Sequence, residues 1–150
     1  MHISFGSDHC AAPLKAELIE YAASLGHACH DCGCRADEPN DYPLYAARAA
    51  RLVQEGKCEL GVVLCGTGVG VSIAANKIMG IRCALCGDCY TAKMTRAHND
   101  ANMLALGSRV VGPELAKMIL GFFLETSYEG GRHQRRIDML AEMERGRPIE

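Results

Sequence analysis

A chain of 150 residues, 49% hydrophobic and 23% charged, fits one domain with one core and is too apolar to stay disordered. A net charge of −2 and a pI near 6.3 argue against a general nucleic-acid or membrane-surface binder. No apolar run approaches the ~20 residues of a transmembrane helix, and the N-terminus enters a strand without a basic-then-apolar leader, so a cytoplasmic protein is expected.

The predicted elements alternate. A strand over Ile3 to Gly6 leads through Asp8 and His9 to a helix from Pro13 to Leu25, with Leu14, Leu18, Ala22 and Leu25 on one face. Pro13 suits the first turn and Gly26 the C-terminal cap. A second strand covers Ala28 to Asp31, and a polar loop from Gly33 to Asp41 holds Pro39 and Asn40. A helix from Tyr42 to Gln54 ends near Gly56. The run Leu60-Gly61-Val62-Val63-Leu64-Cys65, apolar and β-branched, reads as a central parallel strand. The loop Gly66 to Gly70 follows it, then a helix over Ser72 to Lys77. A strand over Ile81 to Cys86, a helix over Tyr90 to His98 and a strand over Met103 to Leu106 complete the pattern. Two helices close the chain, Pro113 to Leu124 and Gln134 to Arg145, with a break at Glu129-Gly130-Gly131. Strict alternation gives a five-stranded parallel sheet with helices on both faces, one α/β domain spanning 1–150.

Cys65 ends the central strand where the glycine-rich loop begins. In open α/β sheets ligands bind at that edge, free N–H groups there favour an anion, and a thiol there has its thiolate favoured. As a strand end, Cys65 is expected to be exposed. The loop is no common nucleotide fingerprint: a dinucleotide motif starting at Gly66 needs glycine where Val71 stands, and no Gly-Lys-Ser/Thr triplet occurs. Asp8-His9 follows the first strand, and His98-Asn99-Asp100 follows the fourth helix. Together these loops are expected to offer a thiol, two imidazoles, a carboxylate and an anion hole, the inventory for proton transfer on a small anionic substrate.

The last helix opens on Arg132, His133, Arg135 and Arg136. Arg132 and Arg136 are four apart, so they share a helix face, and two guanidinium forks suit a phosphate monoester. Its stripe of Ile137, Leu140 and Met143 comes after the five-stranded unit is complete, so it is expected to pack on a partner subunit. The nine cysteines are odd in number and accompanied by no export signal, which argues against a disulfide framework. The spacing of Cys29, His30, Cys32 and Cys34, and of Cys83, Cys86 and Cys89, invites a metal reading, but Cys29, Cys83 and Cys86 fall in strands, where cysteine acts as a small hydrophobe. No metal is expected.

Five motifs in order, Gly6-Ser7-Asp8-His9, Asp41-Tyr42-Pro43, Cys65-Gly66-Thr67-Gly68-Val69-Gly70-Val71-Ser72, Arg96-Ala97-His98-Asn99-Asp100-Ala101-Asn102 and Glu129-Gly130-Gly131-Arg132-His133, resemble the B-type ribose-5-phosphate isomerases, a family that also holds the galactose-6-phosphate isomerase subunits. The resemblance implies a Rossmann-like three-layer α/β/α fold, no cofactor, and aldose–ketose isomerisation of a sugar phosphate. It implies Cys65 as the base that shuttles the proton between C1 and C2, and the N–H groups of Gly66, Gly68, Val69 and Gly70 as the hole for the enediolate oxygen. Thr67 assists at the oxygens, His98 opens the furanose ring with Asp8 in support, Tyr42 and Asn99 contact the sugar, and His9, Arg132 and Arg136 hold the phosphate. One branch of the family uses a glutamate further along the loop; here Val71 and Ser72 stand nearby and Cys65 is present, which is the thiol branch. The resemblance also implies a homodimer with sites at the interface, where Cys65, Asp8 and the glycine loop of one chain are expected to face His98, Asn99 and the arginines of the other, with pairing into tetramers left open.

Ala11-Ala12, where many members of that family carry a bulkier residue, is expected to widen the pocket. Ribose 5-phosphate is the first choice of substrate, and allose 6-phosphate or galactose 6-phosphate the alternative within the class. A non-catalytic phosphate- or nucleotide-binding module is the alternative from another class, and it would have no use for Cys65 or His98.

Overall fold

Three strands buried along nearly their whole length form the middle of the sheet: β1 (His2–Ser7), β3 (Leu60–Cys65) and β5 (Met103–Gly107). The short, more exposed β2 (Ala28–Asp31) and β4 (Cys83–Leu85) form its edges. This is a computed structural model describing residues 1–34 and 41–149, so most of the expected polar loop, with Pro39 and Asn40, lies outside the described residues. The sheet has five strands in the order β2-β1-β3-β5-β4, and every pair is parallel. The chain runs outward from β1 to β2 and then returns to the far side of β1 at β3. The crevice beyond the carboxyl ends of β1 and β3 is therefore the topological switch point.

Successive side chains of a strand face opposite ways, and the two faces make two cores. Val62 and Leu64 pack with Leu14 and Leu18 of α1 (Ala12–Ser24), Ala92 of α4 (Cys89–Asn99) and Ile119, Leu120 and Phe123 of α5 (Pro113–Glu125). Val63 and Cys65 pack on the other side with Ala46, Ala49 and Ala50 of α2 (Tyr42–Gln54) and Val71 and Ala75 of α3 (Val69–Ala75). Small residues let α2 lie close on β1: a Cβ on Gly6 would stand 2.5 Å from the Tyr45 carbonyl oxygen, and Ser4 Oγ donates to the Ala49 carbonyl at 2.9 Å. Lys15, wholly within the protein, ion-pairs with Asp31 and donates to the Cys34 carbonyl at 3.2 Å, which ties α1 to the end of β2.

Some expectations change. The helix after the glycine loop starts at Val69 rather than Ser72, because Gly68 takes φ 78° and turns the chain at once. β4 is half the expected length: Asn76 Nδ2 donates to the Cys83 carbonyl while its Oδ1 accepts from Cys83 N–H, and Asn102 Oδ1 accepts from Arg82 N–H, so side chains replace the ladder at its start. Ala11 and Ala12 are turned into the core beside α1, so they do not widen a pocket. The C-terminal helix α6 (Gln134–Glu144) buries only Ile137, leaving Leu140 and Met143 47% and 55% exposed. A groove of about 870 Å³ separates it from the amino end of β4, and Glu144 reaches across to accept from Gly80 N–H at 2.9 Å. Among the described residues no helix is long and apolar enough to cross a membrane.

β5 ends against the glycine loop. A Cβ on Gly107 would stand 2.6 Å from the Thr67 carbonyl oxygen, whereas one on Gly87 would meet nothing within 4 Å. Gly107→Ala should lower unfolding stability by about 2 kcal/mol or more, and Gly87→Ala should change it by less than about 0.5 kcal/mol, measured by denaturant titration.

Candidate active site

The switch-point crevice collects the residues that leave the carboxyl ends of the three central strands. Asp8 follows β1, its N–H donating to the Leu64 carbonyl at 3.2 Å. Its Oδ1 accepts from Ala11 N–H at 3.0 Å and from the Cys10 thiol at 3.1 Å, capping a 3-10 turn over His9–Ala11. His9, at that turn, is exposed. Cys65 ends β3, and Gly68 N–H donates to its Sγ at 3.1 Å. The loop between them is held by β5: Ser108 N–H donates to the Cys65 carbonyl at 2.9 Å and Arg109 N–H to the Gly66 carbonyl at 3.0 Å. Thr67 is exposed, its Oγ1 accepting from Val69 N–H at 3.3 Å. Tyr42 lies over Gly70 so closely that a Cβ there would stand 2.7 Å from Cζ of the ring. Cys65 itself is 6% exposed and belongs to the α2–α3 core, so it is a buried strand end, not the exposed one expected. Burial, and then the bond to Asp8, push the Cys10 thiol up from its ordinary range, with Ser108 and Arg109 opposing.

A second cluster stands at the opposite edge of the sheet. Helix α4 begins beside the carboxyl end of β4 and runs back, so His98 and Asn99 arrive at the amino edge, where Arg82 donates to the Asn99 and Asp100 carbonyls at 3.1 Å. Within one chain His98 thus stands apart from the strand-end loops that hold Cys65, as the expected division of the site between two chains requires. His98 stacks on His133, ring centroids 4.3 Å apart and planes 10° apart. Glu129 Oε2 lies 3.7 Å from Nε2 of each ring. Arg132 and His133 form a 3-10 turn before α6 rather than its first turn, yet Arg132, Arg135 and Arg136 still line one depression of about 610 Å³. Burial, and then His98 and Arg132, hold the His133 imidazole below the usual histidine range, with Glu129 opposing.

A family model described as Ribose/Galactose Isomerase matches residues 3–140. The chain belongs to that family. It is 48% identical over 145 residues to ribose-5-phosphate isomerase B of Escherichia coli, covering 97% of each chain. The Clostridium thermocellum ribose-5-phosphate isomerase B structure superposes with a TM-score of 0.96 at 45% identity, covering 97% of this chain and 99% of that one. The Mycoplasma genitalium ribose-5-phosphate isomerase B crystal structure, with bound ribulose-5-phosphate, superposes at 0.92 with 39% identity over 96% of each chain.

In this ribose/galactose isomerase chain three potential metal ligands, from His98, Glu129 and His133, lie within 4.8 Å of one another. They do not fit a cation. Nearly parallel stacked rings aim their nitrogen lone pairs side by side, not at one point, and Arg132 Nε, 3.5 Å from His133 Nε2, brings a positive charge to the same place. The set suits a proton and an anion. Sequence reasoning missed Arg109, whose Cδ lies 3.5 Å from where a Cβ of Gly66 would be, close to the Cys10 thiol. It also left Glu129 and His133 without a role. Arg109 had a signal: Gly107-Ser108-Arg109 follows a predicted strand just as Asp8-His9 follows β1. The stacking of His133 on His98 had none, since it depends on how the chain turns at Gly130-Gly131.

Two of the cysteines spaced for metal, Cys83 and Cys86, sit in apolar surroundings. Burial pushes Cys83 up to about 12 and Cys86 up to about 11. A thiol at 11 is about one part in a thousand thiolate at pH 8, against roughly a quarter for a free thiol. Native protein treated with iodoacetamide at pH 8 should therefore label at these two positions at least a hundredfold more slowly than urea-unfolded protein, read by peptide mass mapping.

Proposed function

We propose that the protein interconverts ribose 5-phosphate and ribulose 5-phosphate through an enediolate, with Cys65 as the proton shuttle and with each active site completed by a second copy of the chain. The observation that carries this is Cys65 Sγ at the switch point, held by Gly68 N–H at 3.1 Å with Asp8 on the neighbouring strand end. Relatives named ribose-5-phosphate isomerase B, one of them solved with bound ribulose-5-phosphate, support the choice of sugar.

The chemistry follows from the donors. His98 gives a proton to the ring oxygen while the anomeric hydroxyl gives one up to Asp8, and the sugar opens. The Cys65 thiolate takes the proton from C2, and the electron pair moves to the carbonyl oxygen. N–H groups of the Gly66 to Gly70 segment stabilise that oxygen by ~3 kcal/mol each, since they are aimed before charge develops. Thr67 passes a proton between the two oxygens, and Cys65 returns its proton at C1. His9, Arg109, Arg132 and Arg136 share the phosphate, with Tyr42 and Asn99 on the sugar. No step needs an oxidant or a metal.

Direction of the helices supports the shared site. One chain holds Cys65 and Asp8 at the carboxyl edge of its sheet and His98, Asn99 and the arginines at the amino edge. A homodimer that pairs the two edges brings both halves together, and the exposed Leu140 and Met143 of α6 offer apolar surface for it.

Cys65→Ala should retain the fold and substrate affinity, lose about 1 kcal/mol of stability because the thiol is buried, and lose nearly all turnover. Turnover of ribose 5-phosphate above a tenth of wild type would sink the assignment; Cys65→Ser should fail as well, and hexose 6-phosphates assayed alongside show whether ribose is preferred. The shared site has its own test. Inactive Cys65→Ala and His98→Asn chains, mixed until they exchange, should regain activity because one of the two sites in each heterodimer is intact. Verified heterodimers without recovery would contradict it.

A further inference from the structure

We propose that Glu129 is a positioning residue that makes the stacked His98–His133 pair hold one retained proton, which His98 delivers when the sugar ring opens. This rests on the isomerase reading above. Three features of the cluster carry it.

The first is the stack. Rings 4.3 Å apart and 10° from parallel cannot both be charged without strong repulsion, so the pair titrates as one unit. The second is where the single proton goes. His133 is 8% exposed, and its Nε2 faces Arg132 Nε at 3.5 Å, an arrangement that a neutral imidazole accepts and a charged one resists. Burial, His98, Arg132 and Arg136 all press against charge on this ring. His98 is the more exposed ring of the pair, so it is the one that can meet a substrate. The third is the carboxylate. Glu129 Oε2 is equidistant from the two Nε2 atoms at 3.7 Å, beyond hydrogen-bond length, so it acts on the pair as a charge and not by fixing one tautomer.

The backbone holds this carboxylate in place. Glu129 N–H donates to the Ala97 carbonyl at 3.0 Å, next to His98 itself. Gly130 and Gly131, at φ 65° and 55°, then reverse the chain so that His133 folds back over the ring of His98. The other acid nearby is already engaged: Asp100 is paired with Arg82 and Arg96 at 3.2 and 2.9 Å. Among the described residues the charged groups beside the pair are Glu129, Arg132 and Arg136, and of these the Glu129 carboxylate alone favours keeping a proton there.

The sign of the effect is fixed. Ring opening needs the protonated pair, so activity on the cyclic aldose falls as pH rises through the value at which the pair loses its proton. Removing the carboxylate moves that fall to lower pH. Glu129 is more than half exposed, so solvent screening limits the shift to about half a pH unit, or a threefold loss above both values.

The test is the pH dependence of kcat/KM for the intact oligomer in both directions, for wild type, Glu129→Gln and Glu129→Asp. Glu129→Gln should move the alkaline limb downward by about half a unit, and equally with ribose 5-phosphate and ribulose 5-phosphate, because a pH-independent equilibrium ties the two values of kcat/KM. Glu129→Asp, which keeps the charge, should hold most of the limb in place. Proton NMR titration of the His98 and His133 ring signals in the folded variants should show the same downward movement in Glu129→Gln. An unmoved limb in Glu129→Gln, or a limb that moves as far in Glu129→Asp as in Glu129→Gln, would overturn the proposal while leaving the isomerase reading intact. A wild-type protein that does not interconvert the two sugars would instead remove the reading on which it rests.

Discussion

Every strand of the sheet points the same way, and this single constraint decides where chemistry can gather. Residues that follow strands collect at one edge; residues that follow helices collect at the other. Cys65, Asp8 and Arg109 leave β3, β1 and β5 at the carboxyl edge, while His98 and Asn99 end α4 at the amino edge. The parallel order β2-β1-β3-β5-β4 is thus the reason that the Cys65 thiol and the His98 imidazole stand apart within one chain.

Near Cys65 the fold fixes a thiol by backbone contacts. The loop Gly66-Thr67-Gly68 passes within touching distance of the end of β5, where only glycine fits at position 107. The Gly68 N–H is aimed at the sulfur because Gly68 adopts a left-handed conformation, and a side chain there would meet Leu85 Cδ1 at 2.5 Å. α3 contributes seven residues only, so these direct donors, more than a long helix dipole, set the local field. At the other edge the means are side-chain charges: guanidinium groups, two rings and one carboxylate.

The architecture was legible because hydrophobic runs such as Leu60 to Cys65 cannot sit anywhere but the middle of a parallel sheet, and the alternation with helices leaves one topology class. The bounds of α3 and β4 were less legible. They depend on a positive φ at Gly68 and on the side chains of Asn76 and Asn102 replacing ladder bonds. Candidate residues could be named, and their division between two chains came from the family resemblance and the late apolar stripe of α6, not from reading the loops. His98 follows a helix, and reading it with the strand-end loops ignored which way that helix runs. Ala11 shows the same limit: an alanine beside a site can face the core, and only packing says so.

The separation of the two clusters reaches beyond a single gene. In the proposed shared site each chain supplies two half-sites, at opposite edges of one sheet. After a duplication, one copy can lose its thiol edge and the other its imidazole edge without harm to either fold. Such a pair remains viable only as a mixed complex. A chain of this design is therefore predisposed to evolve into unlike, mutually dependent subunits.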